Sequence, residues 1–265
     1  MKENRMEKNS TSEGTVNRDE LSRFLAEQLQ ISKINDYCPN GLQVEGVAQI
    51  KVLVSGVTAS LALIEAAIAL KADALLVHHG YFWRGENPCL VGQKYQRIKK
   101  LINNNLNLYA YHLPLDVHPE WGNNAQLARQ LEFVTEGTFL EQGVACFGRT
   151  TNPTLRTVGD LSRWIESRLG RVPLLVGPPD QPLGRIAWCT GAAQNYLSDA
   201  INAGATVYLS GEISEPTVHL ARESGVAYLA CGHHATERYG VQALGQAITE
   251  QFGIVHHFVD IPNPV

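Results

Sequence analysis

Three groups of histidines and acids in this chain carry the chemistry of a metal site: His78-His79, His112 with Asp116 four residues on, and His233-His234 with Glu237. Each follows a short apolar run, Ala74-Leu-Leu-Val77, Leu106-Asn-Leu-Tyr-Ala-Tyr111 and Val226-Ala-Tyr-Leu-Ala230, that reads as a buried strand. In open α/β sheets the C-terminal ends of strands are where ligands and catalytic groups collect. His233 and Glu237, at i and i+4 in a segment expected to open a helix, share one face of its first turn, where a carboxylate can bridge two cations. The adjacent His78 and His79 would point to opposite faces of a strand, so a turn of the chain at Gly80 is expected to bring both imidazoles to one cavity. The donor set is His78, His79, Asp116, His233 and Glu237, all nitrogen and oxygen with no thiolate. It suits Fe, Mn, Zn, Ni or Co rather than a thiolate-type structural zinc.

A single histidine near a strand end is more often a hydrogen-bonded structural residue than a ligand, and it is the coincidence of three such groups that points to metal. His112 and His234 are expected to orient ligands or shuttle protons. His256-His257, in an apolar run from Ile254 to Ile261, and His219, inside a helix, read as structural or surface residues. Glu212, in Ser-Gly-Glu, reads first as an acid at a helix N-terminus.

The 265 residues, 44% hydrophobic and 18% charged, are enough for one large core or two small ones, and the pattern is read as two α/β lobes. The net charge of −4 and the absence of any basic cluster larger than Arg97-Ile-Lys99-Lys100 give no nucleic-acid or anionic-membrane footprint. The five cysteines, Cys38, Cys89, Cys146, Cys189 and Cys231, are scattered without CxxC spacing and read as reduced thiols. Residues 1–18 are polar and read as a disordered tail, without an apolar signal core, and no stretch reaches the roughly 18 apolar residues of a membrane span. A cytoplasmic location is expected.

Strand and helix patterns then alternate. Asp19 is expected to cap a helix running to about Leu29. After the turn-rich Tyr37 to Gly46, strands are expected at Lys51–Ser55, Ala74–Val77 and Asn107–Tyr111. Helices are expected at Ser60–Leu70, Lys94–Asn103 and Asn123–Leu131, and β-like segments at Phe133–Phe139 and Val144–Thr150. A second unit from about Thr157 repeats the first: Leu53-Val-Ser-Gly-Val-Thr58 parallels Ala187-Trp-Cys-Thr-Gly-Ala192, Lys71 to His79 parallels Ala203 to Glu212, and Leu108 to His112 parallels Ala227 to His233. The expected division is a first lobe over 19–131, completed by about 240–265, and a second over 132–239, the strand ends of both meeting at one cleft.

Together, Pro39 to Gly46, His78 to Glu86, His112-Leu-Pro-Leu-Asp116 with Gly122-Asn-Asn-Ala-Gln126, Ser210-Gly-Glu212 and Gly232 to Arg238 resemble the Nif-three-like dinuclear metal-centre family, often labelled GTP cyclohydrolase I type 2. The resemblance spans about residues 19–262. It implies a two-lobed α/β subunit, a toroidal homohexamer with metal pairs facing its interior, and ligation by His78, His79, Asp116, His233 and Glu237. Two features depart from the family pattern, the polar N-terminal segment and the lack of the middle domain that longer relatives insert between the lobes. The implied activity is ring-opening hydrolysis of GTP at C8 with formate release, by water activated between two divalent metals. With no Walker-type loop, substrate contacts would fall to the metals, Asn40, Gln43, Trp83, Arg84, Glu212 and Arg238. The alternative is a non-catalytic assembly for metal binding, delivery or regulation.

Overall fold

The computed structural model describes residues 14–265. In chain order its elements are β1 (Val16–Asn17), α1 (Arg18–Gln28), β2 (Gly41–Val44), β3 (Gln49–Ile50), β4 (Val52–Thr58), α2 (Leu61–Ala69), β5 (Ala74–His79), α3 (Gly92–Asn103), β6 (Asn107–Ala110), α4 (Leu113–Val117) and α5 (Asn123–Leu131). There follow β7 (Phe133–Phe139), β8 (Ala145–Thr150), α6 (Val158–Leu169), β9 (Leu174–Val176), β10 (Ile186–Trp188), α7 (Leu197–Asn202), β11 (Val207–Ser210), α8 (Glu215–Ser224), β12 (Ala227–Ala230), α9 (His233–Phe252) and β13 (Val255–Phe258). The helix starts follow local chemistry. Ser60 accepts a hydrogen bond from Leu63 N–H, and Thr157 with Asp160 closes a reciprocal capping box.

Two sheets organise the chain. The first has the order β13-β4-β5-β6-β2, parallel throughout except for the edge strand β2. The second has the order β7-β8-β10-β11-β12-β9, with β10, β11 and β12 mutually parallel and the flanking pairs antiparallel. The internal repeat is thus visible in the fold: β4-α2-β5-α3-β6 in one sheet and β10-α7-β11-α8-β12 in the other. Every residue of β6, β11 and β12 is buried, as parallel strands covered on both faces require. The helix α9 packs on β4, β5 and β13 of the first sheet and against α5, and α5 also touches β7, β8 and α6.

Two adjacent asparagines at the start of α5 tie these parts together. Asn123 Oδ1 accepts from Gly240 N–H of α9 at 3.1 Å. Asn124 accepts from Thr190 N–H beyond β10, its amide donates to Val144 O, and its carbonyl accepts from Trp188 Nε1–H. Both side chains are buried, so each of these bonds is made where water cannot substitute.

Several sequence expectations shift. Asn17, not Asp19, caps α1, accepting from Asp19 N–H at 2.8 Å. Residues 1–13 of the expected tail lie outside the described residues, whereas 14–18 are structured. Val16 is buried and pairs with Ile50, because an apolar side chain there completes the core under α1. Glu212 does not begin a helix: α8 starts at Glu215 behind Ser214. Among the described residues, no helix is long and apolar enough to cross a membrane.

His256, on β13, places Nε2 2.7 Å from Ser55 Oγ. Burial, with His257 beside it, lowers its pKa from 6.5 to about 4, so the fold needs this ring neutral. The unfolded chain binds that proton more readily. Stability should therefore fall as the pH drops from about 6.5 towards 4, and urea denaturation of His256→Gln should show a shallower loss over that window.

Candidate metal centre

The C-terminal ends of β5, β6, β10 and β12 converge on one point. His78, at the end of β5, is fully buried and holds its Nδ1 2.9 Å from Tyr111 O. A carbonyl only accepts, so Nδ1 carries the proton and Nε2 faces the cluster. His233, opening α9, does the same with Glu212 Oε1 at 2.6 Å, and His112, after β6, with Asp36 Oδ1 at 3.0 Å. His79 Nδ1 lies 3.1 Å from Thr58 Oγ1, leaving its Nε2 3.3 Å from Glu237 Oε2. An oxygen behind each imidazole, fixing its direction and, for His78, His112 and His233, its tautomer, is the arrangement that metal-ligating histidines use.

The turn expected at Gly80 takes a different form. Gly80 is not in the left-handed region; its lack of a side chain makes room, since a Cβ there would lie 2.2 Å from Gln43 Oε1. Gln43 clamps this loop by accepting from Tyr81 N–H and donating to Pro39 O. The rings of His78 and His79 end 4.5 Å apart.

Two buried carboxylates complete the cluster. Glu237, on the first turn of α9 and 3% exposed, sets Oε1 3.6 Å from His78 Nε2 and Oε2 3.0 Å from His233 Nε2. Asp116 Oδ1 lies 3.5 Å from His78 Nε2 and accepts from Asn123 Nδ2 at 2.8 Å and from Thr190 Oγ1 at 3.4 Å. The donors fall into two groups, His79-His233-Glu237 and His78-Asp116-Glu237, each with its ligand atoms within 4.8 Å of one another. Glu237 belongs to both. His112 joins His78 and His79 in a further group of the same size.

The electrostatics call for positive charge at the centre. Burial would lower His78, yet Asp116 and Glu237 outweigh it and raise it to about 9; burial also opposes protonation of His233, and Glu237 with Glu212 raises it to about 9. His79, buried among other imidazoles, is pushed down to about 3. Burial resists ionisation of Glu237, but His78 and His79 hold it well below the usual carboxylate range, while burial pushes Asp116 up. The buried Glu237 Oε2, though close to two imidazoles, accepts no aligned hydrogen bond. A buried anionic oxygen without an aligned donor, among ring nitrogens that take up protons in its field, can be served by a cation in place of those protons, so the residues fit a divalent metal. Gly191 keeps that seat open: at φ +70° it packs so closely that a Cβ would lie 2.1 Å from Glu237 Oε1.

A cavity of about 670 Å³ opens beside the cluster, with His79, His112, Asp116, His233 and Glu237 at its polar end. Of the residues expected to bind substrate, Trp83 lines it. Asn40 instead accepts from His112 N–H and donates to Asp36, and Gln43 serves the loop clamp described above. Arg84 donates to Asp36 O, and Arg238 to Leu169 O and Asp260, none of which lines the cavity. Glu212 orients His233 from a smaller neighbouring pocket that His234 also lines. His234 pairs with Asp260 at 2.6 Å and lines this smaller pocket, not the larger cavity. His118 accepts from Glu120 and Trp121 N–H and serves its own turn.

Sequence reasoning passed over Asp36, which accepts from His112, Asn40 and Leu113 N–H and which His112 and Asn40 hold well below its usual range against the effect of burial. Its one signal was position: an acid just ahead of the turn-rich segment Tyr37 to Gly46. Thr190 and Gly191 sit at the end of β10, where the repeat aligned Thr190-Gly191 with Gly56-Val57 of the first unit and so carried no donor signal.

Replacing Glu212 with Ala should leave the fold intact, because its carboxylate serves one side chain, but should weaken Mn²⁺ affinity about 10–100-fold by freeing the His233 ring. Isothermal titration of apoprotein with Mn²⁺ measures this directly.

The geometry has relatives. The model of the family Duf34/NIF3 (NGG1p interacting factor 3) matches residues 16–264. A protein named "GTP cyclohydrolase 1 type 2 homolog" from Pseudomonas aeruginosa is 57% identical over 250 residues, covering 93% of this chain and 96% of its own. One of the same name from Vibrio cholerae is 51% identical over 255 residues, covering 94% and 100%. Among solved structures, "protein ybgI, unknown function" superposes with a TM-score of 0.89 at 46% identity, covering 94% of this chain and 100% of that one. TTHA1606 from Thermus thermophilus gives 0.83 at 32%, with 94% and 100% covered. With the fold, the repeat and the donor cluster, these matches establish that the chain belongs to the Duf34/NIF3 family.

Proposed function

We propose that this protein is a metal-dependent hydrolase that holds two divalent cations between its sheets and acts on a nucleotide-like substrate. The observation that carries the reading is Glu237, whose two oxygens face separate donor groups, His78 with Asp116 and His79 with His233. Fe, Mn, Zn, Ni or Co suits these nitrogen and oxygen donors. Bound there, such a pair supplies Lewis acidity and a water nucleophile active near neutral pH.

The chain's own residues would do the rest. His112 reaches the cavity with its tautomer set by Asp36, so it is the group placed to move a proton between substrate and solvent. Trp83 offers a ring face beside it, 5.0 Å from His112 between centroids. The relatives' names support GTP as the substrate, and the family resemblance implies opening of its imidazole ring with formate release. The family resemblance further supports a cytoplasmic toroidal homohexamer with the metal sites facing its interior.

The test is metal content by plasma mass spectrometry together with formate release from GTP in Mn-, Fe- or Zn-loaded protein. About two metals per chain with metal-dependent formate release is the expected result, and Glu237→Ala should lose both. Metal-loaded protein that turns over neither GTP nor other purine nucleotides would overturn the hydrolase reading in favour of metal binding or delivery. Light scattering of the same sample, expected at six subunits, checks the ring.

A further inference from the structure

The cavity beside the donor cluster is built unevenly. Its polar end holds the imidazoles and carboxylates, and much of the rest of its wall is aromatic and aliphatic: Tyr37, Trp83, Leu113, Leu140, Ala193 and Tyr196. The aromatic surface begins where the donors stop. Trp83 lies 6.1 Å from His79 and 5.0 Å from His112 between ring centroids, and Tyr37 continues it at 5.6 Å with the ring planes 37° apart. Tyr37 and Tyr196 keep 49% and 37% of their surface exposed, an apolar area that the fold itself does not cover. The opposite wall is braced. Gln142, in the turn between β7 and β8, accepts from Asn35 N–H at 2.5 Å and donates to Asn35 O at 3.1 Å, which ties this turn to the segment just before Tyr37.

The charges around this wall carry the inference further. Among the described residues no Lys or Arg lines the cavity, and its one charged side chain outside the donor cluster is the acid Glu141. The arginines nearest in sequence to the motifs are engaged elsewhere. Arg84 donates to Asp36 O at 3.1 Å, and Arg238 donates to Leu169 O at 2.6 Å and Tyr239 Oη at 3.2 Å. With the ring's polar edge at the donor cluster and its proposed cations, a triphosphate tail would lie along Glu141 and hydrocarbon, where phosphate sites present guanidinium groups, ammonium groups or backbone N–H. A flat heteroaromatic ring would meet two aromatic faces and a row of donors at its polar edge.

We propose that the cavity recognises an uncharged planar heteroaromatic ring of the nucleobase or nucleoside class, stacked on Trp83 and Tyr37 with its polar edge at the donor cluster, and that phosphates are not recognised. The proposal rests on the hydrolase reading for its chemistry but is tested by binding alone. Manganese-loaded protein is titrated with guanosine, GTP and inorganic tripolyphosphate at 0.15 M salt, following tryptophan fluorescence and heat. Guanosine should bind within about threefold of GTP, tripolyphosphate should not displace it, and Trp83→Ala should weaken guanosine at least about tenfold with metal content unchanged. Tyr37→Leu provides the same readout should Trp83→Ala fail to fold. GTP binding ten or more times tighter than guanosine, displacement by tripolyphosphate, or no guanosine binding to metal-loaded protein would each overturn the proposal. Guanosine binding without turnover of guanosine, GTP or other purine nucleotides would leave it standing and remove the hydrolase reading.

Discussion

The structure depends on one buried carboxylate. Glu237 is carried into the protein on the first turn of α9, 3% exposed, and three imidazoles approach its two oxygens. Burying such a group without compensation costs several kcal/mol. With no metal, His78 and His233 can offset the acids only by taking protons, and both are raised to about 9. The demand for positive charge at Nε2, at a point where Asp116 adds a second acid, is the physical content of the metal proposal.

Everything around that point exists to place donors against it. The parallel strands β4, β5 and β6 deliver Thr58, His78, His79 and His112 to one sheet edge, and β10, β11 and β12 deliver Thr190, Glu212 and His233 to the other. The duplicated βαβ pattern accounts for this symmetry: two copies of the same unit present the same strand ends, and α9, packed on the first sheet, begins at the end of the last strand of the second. Asn123 and Asn124 fix the registration, since Asn123 bonds both Asp116 and Gly240 N–H while Asn124 bonds groups at the ends of β8 and β10. A shift of Asn123 would move Asp116 and the first turns of α9, which carry Glu237, together.

Much of this was legible from residue order. Apolar runs ending in His-His, HxxxD and HxxxE announced strand ends with donors, and Asn123–Leu131 was located to the residue, because periodicity and position along a strand are local properties. What failed was direction. Arg84, Arg238, Asn40 and Gln43 lie near the right motifs, but which way each side chain turns is set by partners distant in sequence: Asp36, Leu169, His112 and Tyr81. Asp36 was missed for the same reason, its importance arising only when His112 arrives 76 residues later. Glu212, read as a helix cap, became the carboxylate behind His233 because α8 starts three residues beyond it.

The central claim, that Glu237 is shared by two cations, is tested most directly by anomalous scattering from crystals of the protein grown with Mn²⁺. The account predicts two anomalous peaks flanking Glu237, one beside His78 and Asp116 and the other beside His79 and His233. A single peak, or manganese bound away from Glu237, would contradict it.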